Sequence, residues 1–349
     1  MAASSDISET QLLLTFGDDV CESLLMDRTT QQNIYWATDS YSAKGEGFTF
    51  YDPITIKKIT GENDRLIRPR AVKSKEEQMQ RIKDKAEVFT PAWICNIQNN
   101  LVDESWFGRQ DGLFNSLDPT DSRIWINNEE KIVFPEGKTW KDYVADIRIE
   151  ITCGEAPYLT NRYDAITGIY NQCAKYRIGI LDRKLRIVSE NVTESKEWLF
   201  WARVALRSTY GFEWQGDNLL LAREALFFTF AEHYIEQFGQ KRFNQVKTRV
   251  MPNAAYIISW NIWQMDGLKY GLPGYEPVSE NRHVQASLFE DNVPEETRII
   301  APHNRLCVIK DFFDGINVHK KTLSAKDFDD ANAPQVPFVS LIKNKMKLS

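Results

Sequence analysis

The chain has 349 residues, 42% of them hydrophobic and 26% charged, the proportions of a globular protein with a sizeable core. A formal net charge of −6 excludes a general nucleic-acid coat protein, which would be basic, although a local basic face can still meet phosphates. Five scattered cysteines without a CxxC pair argue against a zinc site and a disulfide framework, and for a reducing cytoplasm.

The opening MAASSDISETQLLLTFGDD has no basic leader and no long apolar stretch, so it does not read as a signal peptide. No run approaches the ~18 uninterrupted apolar residues of a membrane span. Residues 1–65 are polar, turn-rich and dotted with aromatics, and read as an irregular N-terminal extension. Residues 66–87 carry the densest basic charge, which predicts a solvated helix and linker, with a DNA-backbone contact as the sharper alternative. In FTPAWICNIQNNL, Thr90 suits an N-cap and Pro91 the first helical position, with Ile94, Ile97 and Leu101 following at helical spacing.

DIRIEITC, residues 146–153, alternates as a strand with Ile147, Ile149 and Ile151 on one face, and runs into Gly154. YRIGIL and LRIV, within 176–188, predict two strands about the polar turn DRK. KEWLFWARVALRS is helix-like, and TYGFE, 209–213, is a short strand ending on an acid. A long helix is expected from Asp217 to Gln237, striped by Leu219, Arg223, Leu226, Phe230 and Tyr234 and stopped at Gly239. YIISWNIW, 256–263, reads as a buried strand with Asp266 beyond it, and the polar tail from about 276 holds one strand candidate, RLCVIKDF. Strands alternating with helices imply an α/β domain with a largely parallel sheet.

In such sheets ligands bind beyond the carboxyl ends of the strands. Three places qualify: EITCGEAPYL, residues 150–159, where Gly154 lets a ligand approach the backbone; Glu213, placed to accept from ribose hydroxyls; and Asp266, placed to accept from an adenine amino group. Taken singly, a glycine after a strand is more often a turn and a lone acid a solvated cap. Their order is what carries the reading.

RIKDKAEVFTPAWI, residues 81–94, resembles the opening signature of gamma-type adenine-N6 DNA methyltransferases, the stand-alone enzymes and modification subunits of restriction systems. The resemblance covers roughly residues 75–275. It implies a class I S-adenosylmethionine-dependent methyltransferase fold, with a Rossmann-like α/β sheet over 66–275, an N-terminal extension over 1–65 and a small C-terminal region over 276–349. It also implies that Phe89, Thr90 and Pro91 fold over the cofactor methionine, that Glu150, Cys153 and Gly154 form the loop at the methionine end, that Glu213 holds the ribose, and that Asp266 in NIWQMDGL meets adenine. S-adenosylmethionine would be the cofactor, DNA the substrate, and a specificity or restriction subunit a possible partner.

Three departures stand out. Ala156 replaces the usual second glycine of the loop. The interval from Gly154 to Glu213 is far longer than the roughly 20 residues expected between a glycine turn and its ribose acid, so an insertion must lie there. The catalytic tetrapeptide, an Asn or Asp, two prolines and an aromatic that stacks on the flipped base, is missing. The nearest text is Leu272-Pro273-Gly274-Tyr275, in which Pro273 and Tyr275 are the candidate catalytic residues and a plain Pro-Gly turn is the alternative.

Cys153 lies inside the cofactor motif, which favours packing over a nucleophilic role. Asp182, Glu194 and Lys196 imitate a nuclease metal site, but short acid–lysine pairs are common on solvated helices. The four histidines have no ligand spacing. Two functions remain: an adenine-specific DNA methyltransferase or modification subunit, and a non-catalytic methyltransferase-like subunit that binds cofactor or DNA within a restriction complex.

Overall fold

A computed structural model describes residues 8–85, 87–110, 112–274, 306–317 and 323–340. Two short helices, α1 (Glu9–Phe16) and α2 (Asp18–Leu25), lie in the stretch expected to be irregular. Ser8 caps the first by accepting from the Gln11 amide. Leu12, Val20, Leu24 and Leu25 are buried in the main apolar core, so this segment packs with the rest of the chain. The basic stretch forms α3 (Lys75–Lys85), solvated along most of its length, with Arg81 its buried exception. Next, α4 (Ala92–Phe107) starts one residue later than expected: Pro91 occupies the N-cap, and Thr90 lies outside the helix.

The parallel sheet has three strands among the described residues, in the order β1 (Arg148–Glu150), β2 (Thr209–Glu213), β3 (Ile262–Gln264). The architecture is mixed α/β, with a sheet far smaller than a full doubly wound one. Between β1 and β2 lie α5 (Ile180–Asn191) and α6 (Ser195–Arg207), the insertion that the long interval required. The expected pair of strands over 176–188 is therefore a helix. Its DRK triplet looks like a turn but is buried: Arg183 pairs with Asp103, and the Lys184 ammonium donates to the Asp146 and Ser208 carbonyls.

After β2 comes α7 (Gly216–Phe238), closed by Gly239 at φ +84°, and then α8 (Gln240–Asn261). The latter contains most of the run read as a strand; only Ile262–Gln264 is extended. The run is apolar all round because α8 packs against both α7 and α2, and periodicity cannot separate such a helix from a buried strand. Arg223, fully buried on α7, donates to the carbonyls of Leu24, Met26, Ser259 and Ile262, binding the N-terminal segment, α8 and β3 together. In the tail, β4 (Val308–Lys310) pairs antiparallel with β5 (Gln335–Pro337). This ladder adds Cys307 and Ile309 to a second apolar cluster, with Tyr210, Phe212 and Trp263 of the sheet. The cluster covers β2 and β3 but stops short of β1, where Ile149 and the flanking Ile147 and Ile151 are 42%, 53% and 66% exposed. Among the described residues no helix is long and apolar enough to cross a membrane.

Candidate functional site

A cavity of about 770 Å³ opens at the carboxyl ends of β1 and β2. Phe89, Thr90, Glu150, Cys153, Gly154 and Glu213 all line it, although they come from three separate parts of the sequence. Pro91, one residue further along, serves as the cap of α4 and is not part of the lining.

The loop after β1 is unusual in its backbone. Thr152, Gly154 and Ala156 have φ of +48°, +53° and +61°. Alternate residues in the left-handed region turn the chain tightly, and only glycine enters that region freely. Ala156, standing where the resembled motif carries glycine, adopts glycine's conformation. The Phe89 ring lies over Gly154, where a Cβ would sit 3.5 Å from it, and the Arg70 guanidinium lies 5.5 Å from the ring centroid. Cys153 is 1% exposed; burial pushes its thiol far above the ordinary range, which fits packing rather than nucleophilic use.

Glu213 joins the loop to the sheet. Its carboxylate accepts from the Gly154 amide at 2.9 Å and from the Gln215 amide at 3.1 Å. Burial raises its pKa in spite of those bonds. Glu150 accepts from the Leu159 amide at 3.2 Å, and burial drives its pKa well upward, with the Glu213 charge adding to the effect. Trp214 follows Glu213 along the cavity wall, whose apolar parts also include Val102, Ile149, Ile151, Tyr158 and Ile180.

A polar network ties the N-terminal segment to this site. Arg81 pairs with Glu87 and, at 2.8 Å, with Asp217, while the Tyr41 hydroxyl donates to Asp217 at 2.8 Å. Asp217, expected at the start of the long helix and found in its first turn, is thus the anchor that holds the segment leading to Phe89 against the start of α7. Glu87, Gln215 and Asn218 also line the cavity. Sequence reading passed over them, though Glu87 stands two residues before Phe89 and Asn218 lies in the first turn after Glu213.

The third acid is placed differently. Asp266 lies two residues beyond β3 and accepts from the Leu268 and Lys269 amides, closing its own turn. It does not line the cavity. Leu272 is buried in the second apolar cluster, Pro273 is buried, and neither lines the cavity; Tyr275 lies outside the described residues. The nuclease-like trio is not assembled. Asp182 is fully buried, bonded to His233 at 3.0 Å and to the Asn161 amide, whereas Glu194 and Lys196 are exposed. Among the described residues no group of three or more His, Cys, Asp or Glu is placed to hold a metal ion.

The cavity lining contains three carboxyls, from Glu87, Glu150 and Glu213, and no Lys, Arg or His. That set is unsuited to a polyphosphate nucleotide and suited to a neutral or cationic ligand. Comparison with known proteins adds nothing to the geometry: no family model matches the chain, and no curated protein or solved structure matches it.

Proposed function

We propose that the chain is the cofactor-binding body of a class I methyltransferase, taking S-adenosylmethionine and serving adenine-N6 methylation of DNA in a restriction–modification setting. The observation that carries the reading is the convergence of Phe89, Glu150, Gly154 and Glu213 on one acidic cavity at the strand ends. S-adenosylmethionine matches that cavity in its adenosine body, its sulfonium charge and its ammonium group. Glu213, fixed by two amides, retains lone pairs for ribose hydroxyls. Phe89 would close over the methionine end at Gly154, and Trp214 offers an apolar surface beside the ribose acid. Bound there, the cofactor would supply an electrophilic methyl group; the chain itself would bind, orient and exclude water.

A second reading, a cofactor-binding subunit without its own catalytic loop, is favoured by the burial of Leu272 and Pro273 away from the cavity. The two readings share their first test, calorimetric titration with S-adenosylmethionine, and an absence of binding refutes both. Tritium transfer from labelled cofactor to mixed-sequence duplex DNA then separates them. The isolated chain is expected to transfer slowly or not at all while still binding cofactor, with activity appearing when a partner subunit is co-expressed. Fast transfer by the isolated chain would refute the subunit reading.

A further inference from the structure

Residues 237–265 are the longest stretch of the chain without an aspartate or glutamate, although the whole chain carries a net charge of −6. Its four cations, Lys241, Arg242, Lys247 and Arg249, all lie on α8. Lys241, Gln245 and Thr248 stand at i, i+4 and i+7, with Arg242 and Arg249 in the adjoining row. Five side chains therefore share about a third of the helix circumference over about 12 Å of its length. All five are exposed, and among the described residues none of the three cations has an ion-pair partner. Lys247 turns to another side, over the Phe16 ring at 5.8 Å, while Phe243, Val246 and Val250 pack into the core. Arg203 on α6 lies within reach of the same face: burial chiefly, and with it the charges of Arg207 and Arg249, lowers its pKa.

The basic stretch of α3 offers no comparable face. Glu76 and Glu77 stand in its first turn, Arg68 pairs with Glu77 at 2.9 Å, and Arg81 is buried against Glu87 and Asp217. The face on α8 is also remote from the cavity. At its start α7 meets the cavity through Asn218; further along, Arg223 donates to the Ser259 and Ile262 carbonyls, and the Tyr234 ring lies 6.0 Å from that of Phe243. The two helices thus run antiparallel, and the basic face stands about 30 Å of helix away from the cavity. Lys, Arg, Gln and Thr all donate to phosphate oxygens. A protein partner would call for an apolar anchor at the centre of the contact, and this face presents none.

We propose that Lys241, Arg242, Gln245, Thr248 and Arg249 dock on the phosphate backbone of duplex DNA, independently of its sequence, at a surface separate from the cavity. The inference stands without the methyl-donor reading above. A short duplex held on α8 leaves the cavity open.

Fluorescence anisotropy of a labelled mixed-sequence duplex, without cofactor and over a range of salt concentrations, tests this, with circular dichroism as the check on folding. Lys241→Gln, Arg242→Gln and Arg249→Gln combined should weaken binding at least about tenfold. The slope of log affinity against log salt should become shallower by roughly two to three, at about 0.9 for each lost phosphate contact. Lys57→Gln, Lys75→Gln and Lys83→Gln combined remove the same charge from exposed sites on the N-terminal side and should change affinity less than about threefold. A wild type that does not bind the duplex, or equal losses in the two triple variants, overturns the proposal. Displacement of the duplex by poly-glutamate as readily as by unlabelled duplex, at equal charge, also overturns it and assigns the face to an acidic protein. Calorimetric titration with S-adenosylmethionine reads the cavity separately. Absence of cofactor binding, with duplex binding still dependent on α8, removes the methyl-donor reading and leaves this surface standing.

Discussion

Removing Asp103 should cost more stability than any exposed substitution in this chain. Asp103 lies on α4, is fully buried, and accepts from Arg148 and Arg183 at 2.6 Å each and from the Tyr143 hydroxyl at 2.8 Å. Arg148 belongs to β1 and Arg183 to α5, so this one carboxylate joins the first strand to helices on either side of it in sequence. Asp103→Ala leaves the buried Arg183 guanidinium without an anion and Arg148 with only the part-exposed Asp146, at 3.0 Å. Breaking a buried pair in that way costs about 3–5 kcal/mol, a large part of the 5–15 kcal/mol typical of a whole domain. Urea unfolding followed by circular dichroism measures it as a lower midpoint at similar slope. Burial raises the Asp103 pKa, but Arg148 and then Arg183 outweigh it and leave the carboxyl below the ordinary range. Its contribution is therefore complete above pH ~4, the unfolded value, and is lost as pH falls through the depressed folded value. In Asp103→Ala that part of the acid dependence should vanish. A loss below about 1 kcal/mol, the size of an exposed ion pair, would refute the view that this network holds β1 in place.

Three further outcomes concern the cavity. Glu213→Ala should weaken S-adenosylmethionine binding by about 1.5–3 kcal/mol, the range for a lost hydrogen bond to a charged group; unchanged affinity in calorimetry would remove the ribose role. Gly154→Val places a β-branched residue at φ +53° beneath the Phe89 ring, so cofactor binding should be lost while the circular dichroism spectrum stays native; global unfolding would instead make Gly154 a structural turn. Burial raises the pKa of both Glu150 and Glu213, so each holds its proton to higher pH than an exposed glutamate, and a cationic ligand favours the ionised form. Affinity for S-adenosylmethionine should then rise with pH from 5 to 8, with proton release visible in buffers of different ionisation enthalpy, and a flat profile would contradict the acidic character assigned to the cavity.

The parts of the molecule that were legible in sequence are those where local pattern and tertiary role agree. TYGFE, the helix after it and its Gly239 stop stand where they were expected, because the acid that ends the strand, the length of the helical stretch and the glycine that closes it are local signals, and they hold although both elements are buried almost throughout. The cofactor-like loop was legible because its chemistry is local to β1. The misread elements are those whose environment overrides the pattern. YIISWN reads as a strand because the C-terminal half of α8 is buried almost all round, and the DRK triplet is buried because Asp103 and the Ser208 carbonyl, distant in sequence, satisfy Arg183 and Lys184. Asp266 stood in the expected setting, yet its carboxylate is taken up by two amides of its own turn. Glu87 stood inside the quoted signature without a role of its own and Asn218 carried no motif; only the folded chain brings them to one cavity.

The open side of β1 has a consequence for motion. Arg148 donates its amide to the carbonyl of Ser208, just before β2, so the backbone groups of Ile149, the next residue, point away from β2, where no strand among the described residues receives them. Amide hydrogens there should exchange with solvent far sooner than those of β2, which is flanked on both sides. Because the chain passes from β1 directly into the loop of Cys153 and Gly154, fraying of this strand loosens the cavity wall with it. A bound ligand that clamps the loop would slow exchange along β1, so the outermost strand, rather than the buried centre, is where occupancy of the cavity should register in the backbone.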